Sequence, residues 1–215
     1  MKVRIKIFET PNALAEELAG EFYDHIGRLA QKQEKVSIAL SGGSTPQLWF
    51  KRIASHRNTH GLNINWHKVH FFWCDERCVP ADHPESNYGA AYKFFLKPLA
   101  IDSTNIHRIR GEENPEEEAE RYAEEIIKYV PGKNNIPVYD WIFLGMGDDG
   151  HTASIFPNQL NLLYSERICD VAVHPQTGQR RITLTGKTLV NARRVTFLIT
   201  GASKSKILHD IFFSK

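Results

Sequence analysis

Trp141-Ile142-Phe143-Leu144-Gly145-Met146-Gly147-Asp148-Asp149-Gly150-His151 passes from consecutive large apolar side chains straight into a glycine-rich polar turn. An uninterrupted apolar run of that length reads as a strand buried on both faces, the type found in parallel sheets. The turn then falls at the strand's carboxyl end, where open α/β sheets assemble ligand sites. Glycines let the backbone turn sharply or approach a ligand, and imidazole is the side chain most easily tuned to exchange protons near neutral pH. The stretch predicts an α/β fold with proton-transfer chemistry on a small molecule at the end of this strand.

The same cadence recurs on both sides of it. Val36-Ser37-Ile38-Ala39-Leu40 is a predicted strand that feeds Ser41-Gly42-Gly43-Ser44-Thr45-Pro46. Thr45 is expected to cap the next helix and Pro46 to sit in its first turn, ahead of Leu48, Trp49 and Ile53. Val69-His70-Phe71-Phe72-Trp73 is another strand, ending in Cys74-Asp75-Glu76-Arg77, and from Ser86 or Asn87 the positions Tyr88, Ala91, Tyr92, Phe95 and Leu96 follow helical spacing. Thr10-Pro11 opens a helix with the stripe Leu14, Leu18, Phe22 and Ile26. Asn114-Pro115-Glu116-Glu117 opens another that should bury Ala119, Tyr122, Ala123, Ile126 and Ile127.

Further strands are expected at Met1-Lys2-Val3-Arg4-Ile5-Lys6-Ile7-Phe8, at Ile106-His107-Arg108-Ile109, at Arg181-Ile182-Thr183-Leu184-Thr185 and at Arg194-Val195-Thr196-Phe197-Leu198-Ile199. The last runs through Thr200-Gly201-Ala202-Ser203-Lys204 into a final helix carrying Ile207, Leu208 and Ile211. Strands alternate with helices over 215 residues without a repeat or a low-complexity linker. The expected architecture is α/β: a single domain, 1–215, with a mostly parallel, Rossmann-like sheet covered by helices on both faces.

Composition narrows the function. With 41% hydrophobic and 24% charged residues the chain is ordinary for a globular protein, and a net charge of +2 is too small to point to nucleic acid or a membrane surface. No apolar run reaches transmembrane length, and the amino terminus lacks the apolar segment of a signal peptide. Cys74, Cys78 and Cys169 are odd in number, as expected for reduced thiols in the cytoplasm. His70, Cys74, Cys78 and His83 invite a zinc reading, but Phe71-Phe72-Trp73 between them reads as buried strand rather than ligand-bearing turn, so no metal is expected.

Three clusters carry the chemistry. The 41–46 segment offers backbone N–H groups, hydroxyls and a helix amino terminus, a cradle for phosphate, although a plain capped turn has the same sequence. It lacks the Gly-Lys-Ser/Thr ending of a nucleoside triphosphate loop. Arg180, Arg181 and Lys204, near strand ends, could supply positive charge. Asp75-Glu76-Arg77 is either a solvated charge cluster or a set of groups aimed into the crevice, with Arg77 suited to a carbonyl or carboxylate oxygen. His151 either bonds a neighbouring backbone group or, with Asp149 fixing its tautomer, moves protons. Ser154 has no Gly-x-Ser-x-Gly context, which argues against a serine hydrolase.

In these five ordered blocks, 37–46, 75–80 with Ser86-Asn87-Tyr88, 145–157, 181–185 and 200–204, the sequence resembles the 6-phosphogluconolactonase family of the glucosamine-6-phosphate isomerase superfamily. The resemblance implies a fold similar to glucosamine-6-phosphate deaminases and ribose-5-phosphate isomerases, no metal or organic cofactor, and hydrolysis of 6-phospho-D-glucono-1,5-lactone to 6-phospho-D-gluconate in the oxidative pentose phosphate pathway. It implies His151 as acid/base, Arg77 as a ligand near the reacting carbonyl, and Asp75 and Asp149 as polar supports, without deciding which carboxylate orients the imidazole. Gly42, Gly43, Ser44, Thr45, Arg181 and Lys204 would hold the phosphate. The implied partner is a small sugar-phosphate lactone, with neither nucleic acid nor membrane; the oligomeric state is left open. A deaminase of glucosamine 6-phosphate is the main rival. That family follows Asp-Glu with Tyr and carries Asn-Glu-Pro after its histidine, where this chain has Arg77 and Thr152-Ala153-Ser154-Ile155-Phe156-Pro157. A non-catalytic sugar-phosphate sensor would keep the cradle without needing His151 beside Asp149. The resemblance also implies a further strand and helix beyond Phe212-Phe213-Ser214-Lys215, so that the domain reads as cut short at its carboxyl end.

Overall fold

A computed structural model describes residues 3–56, 64–133 and 136–213. In chain order its helices and strands are α1 (Pro11–Lys32), β1 (Val36–Leu40), α2 (Ser44–Ser55), β2 (Val69–Trp73), β3 (Asp75–Arg77), α3 (Asn87–Ala91), α4 (Pro115–Tyr129), β4 (Gly132–Lys133), β5 (Ile136–Pro137), β6 (Trp141–Leu144), α5 (Asn161–Tyr164), β7 (Cys169–Val173), β8 (Arg180–Leu184), α6 (Gly186–Val190), β9 (Val195–Phe197) and α7 (Ser205–Phe213). β1, β2 and β6 are buried at every position, as their apolar sequences require of strands covered on both faces. They form a parallel sheet of order β2-β1-β6-β9, with Ile38 beside both Phe71 and Trp141, and Leu144 beside Phe197.

The chain changes sheets at Cys74. Its N–H donates to the Leu40 carbonyl at 2.7 Å, and its own carbonyl accepts from the Leu184 N–H at 2.7 Å. One residue later β3 begins a second, antiparallel sheet of order β3-β8-β7, which pairs Asp75 with Thr183, Glu76 with Ile182 and Arg77 with Arg181. The strand expected at 181–185 therefore exists, but it belongs to this antiparallel unit at the carboxyl edge and not to the parallel sheet.

Helices cover the parallel sheet for the reasons their sequences give. Thr10 Oγ1 accepts from the Ala13 N–H at 3.1 Å and caps α1, whose Leu18, Phe22 and Ile26 are buried. Phe22 lies edge-on to Trp49 of α2, with ring centroids 5.4 Å apart. Asn114 caps α4 through the Glu116 and Glu117 N–H groups, and the buried Tyr122 hydroxyl donates to the Trp73 carbonyl and accepts from the Trp73 N–H. Beside it His70 and His107 share a hydrogen bond of 2.9 Å, and His107 bonds Glu125 at 2.7 Å.

Several local expectations are corrected. Residues 3–8 form no strand: the alternating pattern finds no pairing partner among the described residues, and Lys6 instead bonds Glu17 and Glu21 on α1; Met1 and Lys2 lie outside the described residues. The strand expected at 106–109 is reduced to one bridge between Ile106 and Phe71. Thr45 does not cap α2: Gly43 holds the cap position at φ +114°, and Thr45 Oγ1 lies 2.6 Å from Thr200 Oγ1. Ile127 faces solvent at the margin of the α4 stripe. The final helix forms as α7 but buries none of its described residues, and Ser214 and Lys215 lie outside them. Among the described residues no helix is long and apolar enough to cross a membrane. Of the four residues that invite a zinc reading, His70 is engaged with His107, and the Cys74 thiol faces the Phe143 carbonyl.

Candidate active site

Beyond β6 the backbone folds into a tight polar turn rather than a helix. The Gly147 N–H donates to the His151 carbonyl at 2.8 Å and the Gly150 N–H to the Gly147 carbonyl at 3.1 Å, with Gly150 at φ +84°. That left-handed conformation is the one for which a glycine is needed here. The turn presents His151 with its Nδ1 2.6 Å from Asp149 Oδ1, which also accepts the His151 backbone N–H at 3.1 Å. Burial pushes the Asp149 carboxyl up, but the hydrogen bonds from His151 outweigh it and hold the group below its ordinary value. With Nδ1–H committed to a carboxylate, Nε2 is left with a lone pair to accept a proton. The ring rests against Phe156, centroids 4.7 Å apart.

Asp75, the other carboxylate in question, does not meet the imidazole. It is buried, with Oδ2 accepting from Ser154 Oγ at 2.7 Å and Oδ1 from Asn87 Nδ2 at 3.4 Å. Ser154 is fully buried, and its backbone N–H donates to Thr183 Oγ1 at 3.1 Å. Asp75 thus ties the His151 turn to β3, β8 and α3. Glu76 plays a similar part, since its two carboxylate oxygens accept from the backbone N–H groups of Arg77, Asn87 and Tyr88 and from Ser86 Oγ. Burial nonetheless pushes its carboxyl up.

Arg77 and Arg181 are direct partners across the β3–β8 ladder. Arg77 Nη1 donates to the Glu85 carbonyl at 2.5 Å, but the Nε atoms of both arginines are buried without a hydrogen-bond partner. Burial and the neighbouring Arg77 both push the Arg181 guanidinium down from its ordinary value. Like charges placed opposite each other repel, so an anionic oxygen arriving at the accessible parts of the two guanidiniums would relieve that repulsion. Arg181 also lies 5.6 Å over the Phe156 ring that supports His151. Arg180, one residue away, points to the other face of the strand and pairs with Glu116, outside this cluster.

The remaining anion-binding candidates gather at the ends of β1, β6 and β9. Gly42 approaches α3 so closely that a Cβ would overlap the Asn87 side chain. Gly43, Ser44 and Thr45 lead into α2 with their backbone N–H groups at the positive end of the helix. Thr45 meets Thr200, and Lys204 Nζ reaches Asp148 Oδ1 at 2.5 Å, which holds the Asp148 carboxyl below its ordinary value. Lys204 is thereby joined to the His151 turn. Arg181 belongs instead with Arg77: no described hydrogen bond or ion pair joins it to 42–45, so the expected phosphate set divides into two positive poles. Asn87, Phe156, Thr200 and His174 also stand at the site. The first three lie inside blocks already singled out in the sequence, whereas His174 carries no local signal.

Comparisons with known proteins converge. A family model described as glucosamine-6-phosphate isomerases/6-phosphogluconolactonase matches residues 9–215. The 6-phosphogluconolactonase of Haemophilus influenzae is 44% identical over 204 residues, which is 95% of this chain and 83% of the relative. That of Treponema pallidum is 39% identical over 205 residues, 95% and 82% of the two chains. Among solved structures, 6-phosphogluconolactonase from Trypanosoma brucei superposes with a TM-score of 0.85 at 30% identity, covering 100% of this chain and 88% of that one. The Thermotoga maritima 6-phosphogluconolactonase gives 0.86 at 27% identity, covering 100% and 91%.

Proposed function

The chain belongs to the family of glucosamine-6-phosphate isomerases and 6-phosphogluconolactonases and hydrolyses 6-phospho-D-glucono-1,5-lactone to 6-phospho-D-gluconate in the oxidative pentose phosphate pathway, and we propose that His151 moves the proton in that reaction. The observation that carries this reading is the 2.6 Å bond from His151 Nδ1 to Asp149, which leaves Nε2 as the base. Nε2 takes a proton from water as its oxygen bonds to C1 of the lactone. The carbonyl becomes an oxyanion, whose charge the half-buried Arg77 guanidinium stabilises. When the carbonyl re-forms, the bond from C1 to the ring oxygen breaks, and His151 returns the proton to that oxygen as it becomes a hydroxyl. The carboxylic acid product ionises to solvent.

A positioned acid/base supplies about 10²- to 10⁴-fold and one oxyanion donor about 3 kcal/mol, enough for an ester of this reactivity. The scheme asks for neither a metal nor an organic cofactor. Gly42, Gly43, Ser44, Thr45 and Lys204, with Arg181 at the second pole, bind the phosphate and the carboxyl end. Asp75 acts indirectly, by holding the turn. We read 1–215 as one catalytic domain, and its free thiols Cys74, Cys78 and Cys169 support a cytoplasmic setting.

The test generates the lactone in situ and follows its loss with and without protein, alongside ammonia release from glucosamine 6-phosphate. Lactone loss that depends on the protein, without ammonia, is expected. Ammonia release without lactone hydrolysis would replace this reading with the deaminase.

A further inference from the structure

His174 stands beside the site and is absent from the mechanism above. It closes β7 and is fixed from three directions. Gln159 brackets the preceding residue, accepting the Val173 N–H at 2.9 Å and donating to the Val173 carbonyl. The His174 Nδ1 accepts from the backbone N–H groups of Gln176 and Thr177, each at 3.3 Å. Its ring meets Phe156 edge-on, centroids 5.1 Å apart, on the same aromatic side chain that carries His151 and lies under Arg181. Across the base of the loop the His174 N–H donates to the Gln179 carbonyl at 2.9 Å, the Gln179 side chain bonds the Glu85 side chain, and the Glu85 carbonyl holds Arg77. The base of the loop is therefore tied to the arginine pole.

These contacts fix the tautomer. An Nδ1 that accepts two N–H groups carries no proton, so the neutral ring carries it on Nε2, for which no described residue provides a partner. Burial and the adjacent Arg181 both push the imidazole down from its ordinary value, which keeps it in this neutral, Nε2-donating form. A donor held this firmly on the ring that Arg181 overlies has its use in an oxygen-rich ligand that the guanidinium also attracts.

We propose that His174 is a substrate-binding residue that donates Nε2–H to an anionic oxygen of the sugar phosphate, the oxygen that Arg181 also holds. The proposal rests on the sugar-phosphate reading of the site. That oxygen is either a phosphate oxygen or one from the carboxyl end, and the probes below distinguish them.

The test compares two substitutions that divide the imidazole's functions. His174→Asn places an amide oxygen where Nδ1 accepts the turn's N–H groups but removes the distal donor. His174→Gln places an amide N–H near the position of Nε2 while giving up the turn acceptor. The readouts are KM and kcat on lactone generated in situ, and calorimetric affinity for 6-phosphogluconate, gluconate and inorganic phosphate. His174→Asn should raise KM and weaken 6-phosphogluconate by about tenfold, the loss of one hydrogen bond to a charged group, with kcat within about twofold. His174→Gln should recover most of that loss. A matching loss for inorganic phosphate assigns the oxygen to the phosphate, and one for gluconate assigns it to the carboxyl end. Wild-type KM and affinity in His174→Asn, or a His174→Gln protein weaker than His174→Asn, would show that His174 only shapes the turn. A wild-type protein that neither binds 6-phosphogluconate nor turns over the lactone would overturn the site's reading and this proposal together.

Discussion

Gly147→Ala is a way to displace the imidazole without altering it. Gly147 is not among the glycines at positive φ, so its backbone accepts an L side chain. The new Cβ would lie 2.7 Å from Asp149 Oδ1 and closer still to Nδ1 and Cε1 of His151. Ordinary contact distance is about 3.5 Å, so the ring must retreat by about 1 Å or rotate off its carboxylate partner. A misplacement of about 1 Å at a reacting group costs about 10²-fold, equivalent to about 2.7 kcal/mol in the barrier. The expected result is a kcat about 100-fold lower on lactone generated in situ, with 6-phosphogluconate affinity and thermal midpoint little changed. Gly145→Ala is the matched control, because a Cβ there meets nothing within 4 Å. Wild-type kcat in Gly147→Ala, or an equal loss in Gly145→Ala, would refute the argument that this turn sets the position of the His151 imidazole and that turnover depends on it.

Asp149→Asn should lower kcat by at least about tenfold with KM nearly unchanged, because an amide no longer fixes the Nδ1–H tautomer; steady-state kinetics would check it, and an unchanged kcat would mean that the carboxylate is incidental. Ser154→Ala removes the donor to the buried Asp75 and should cost about 1–3 kcal/mol in denaturant unfolding. The buried His70 has its pKa held down to about 4, chiefly by burial and then by His107. Its contribution to stability is complete above the unfolded value of about 6.5 and is lost as pH falls toward 4, on the order of 3 kcal/mol in all. Glu125, held down to about 2 mainly by its bond from His107, adds a further loss below about pH 4.5. Urea unfolding at pH 7, 5.5, 4 and 2.5 would follow the two losses in turn, and equal stability at pH 7 and 5.5 would contradict the His70 assignment.

Elements with continuous apolar strands and capped helices were legible because burial and local hydrogen bonding dictate them: β1, β2 and β6, and the Thr10 and Asn114 caps, are where their residues place them. The segment at 3–8 misled because alternation reports a half-buried face only when a neighbour supplies the other half. Thr45 misled for a different reason. A hydroxyl that can cap a helix can equally bond Thr200, which lies far away in sequence. At the site, His151 and Asp149 were readable as near neighbours on one turn. The placing of Asp75 with Ser154, and of Arg181 with Arg77, depends on where the chain changes sheets, which no local spacing records. His174 was invisible because its significance comes from Phe156, a contact between two loops.

The passage from one sheet to the other at Cys74 divides the site's labour. The His151 turn hangs from the parallel sheet, and the two guanidiniums hang from the antiparallel ladder, with Ser154 and Asp75 bridging them. The gap between the imidazole and the arginine pair is therefore a property of how two sheets meet, adjustable by substitutions in the joint that leave His151, Arg77 and Arg181 themselves unchanged.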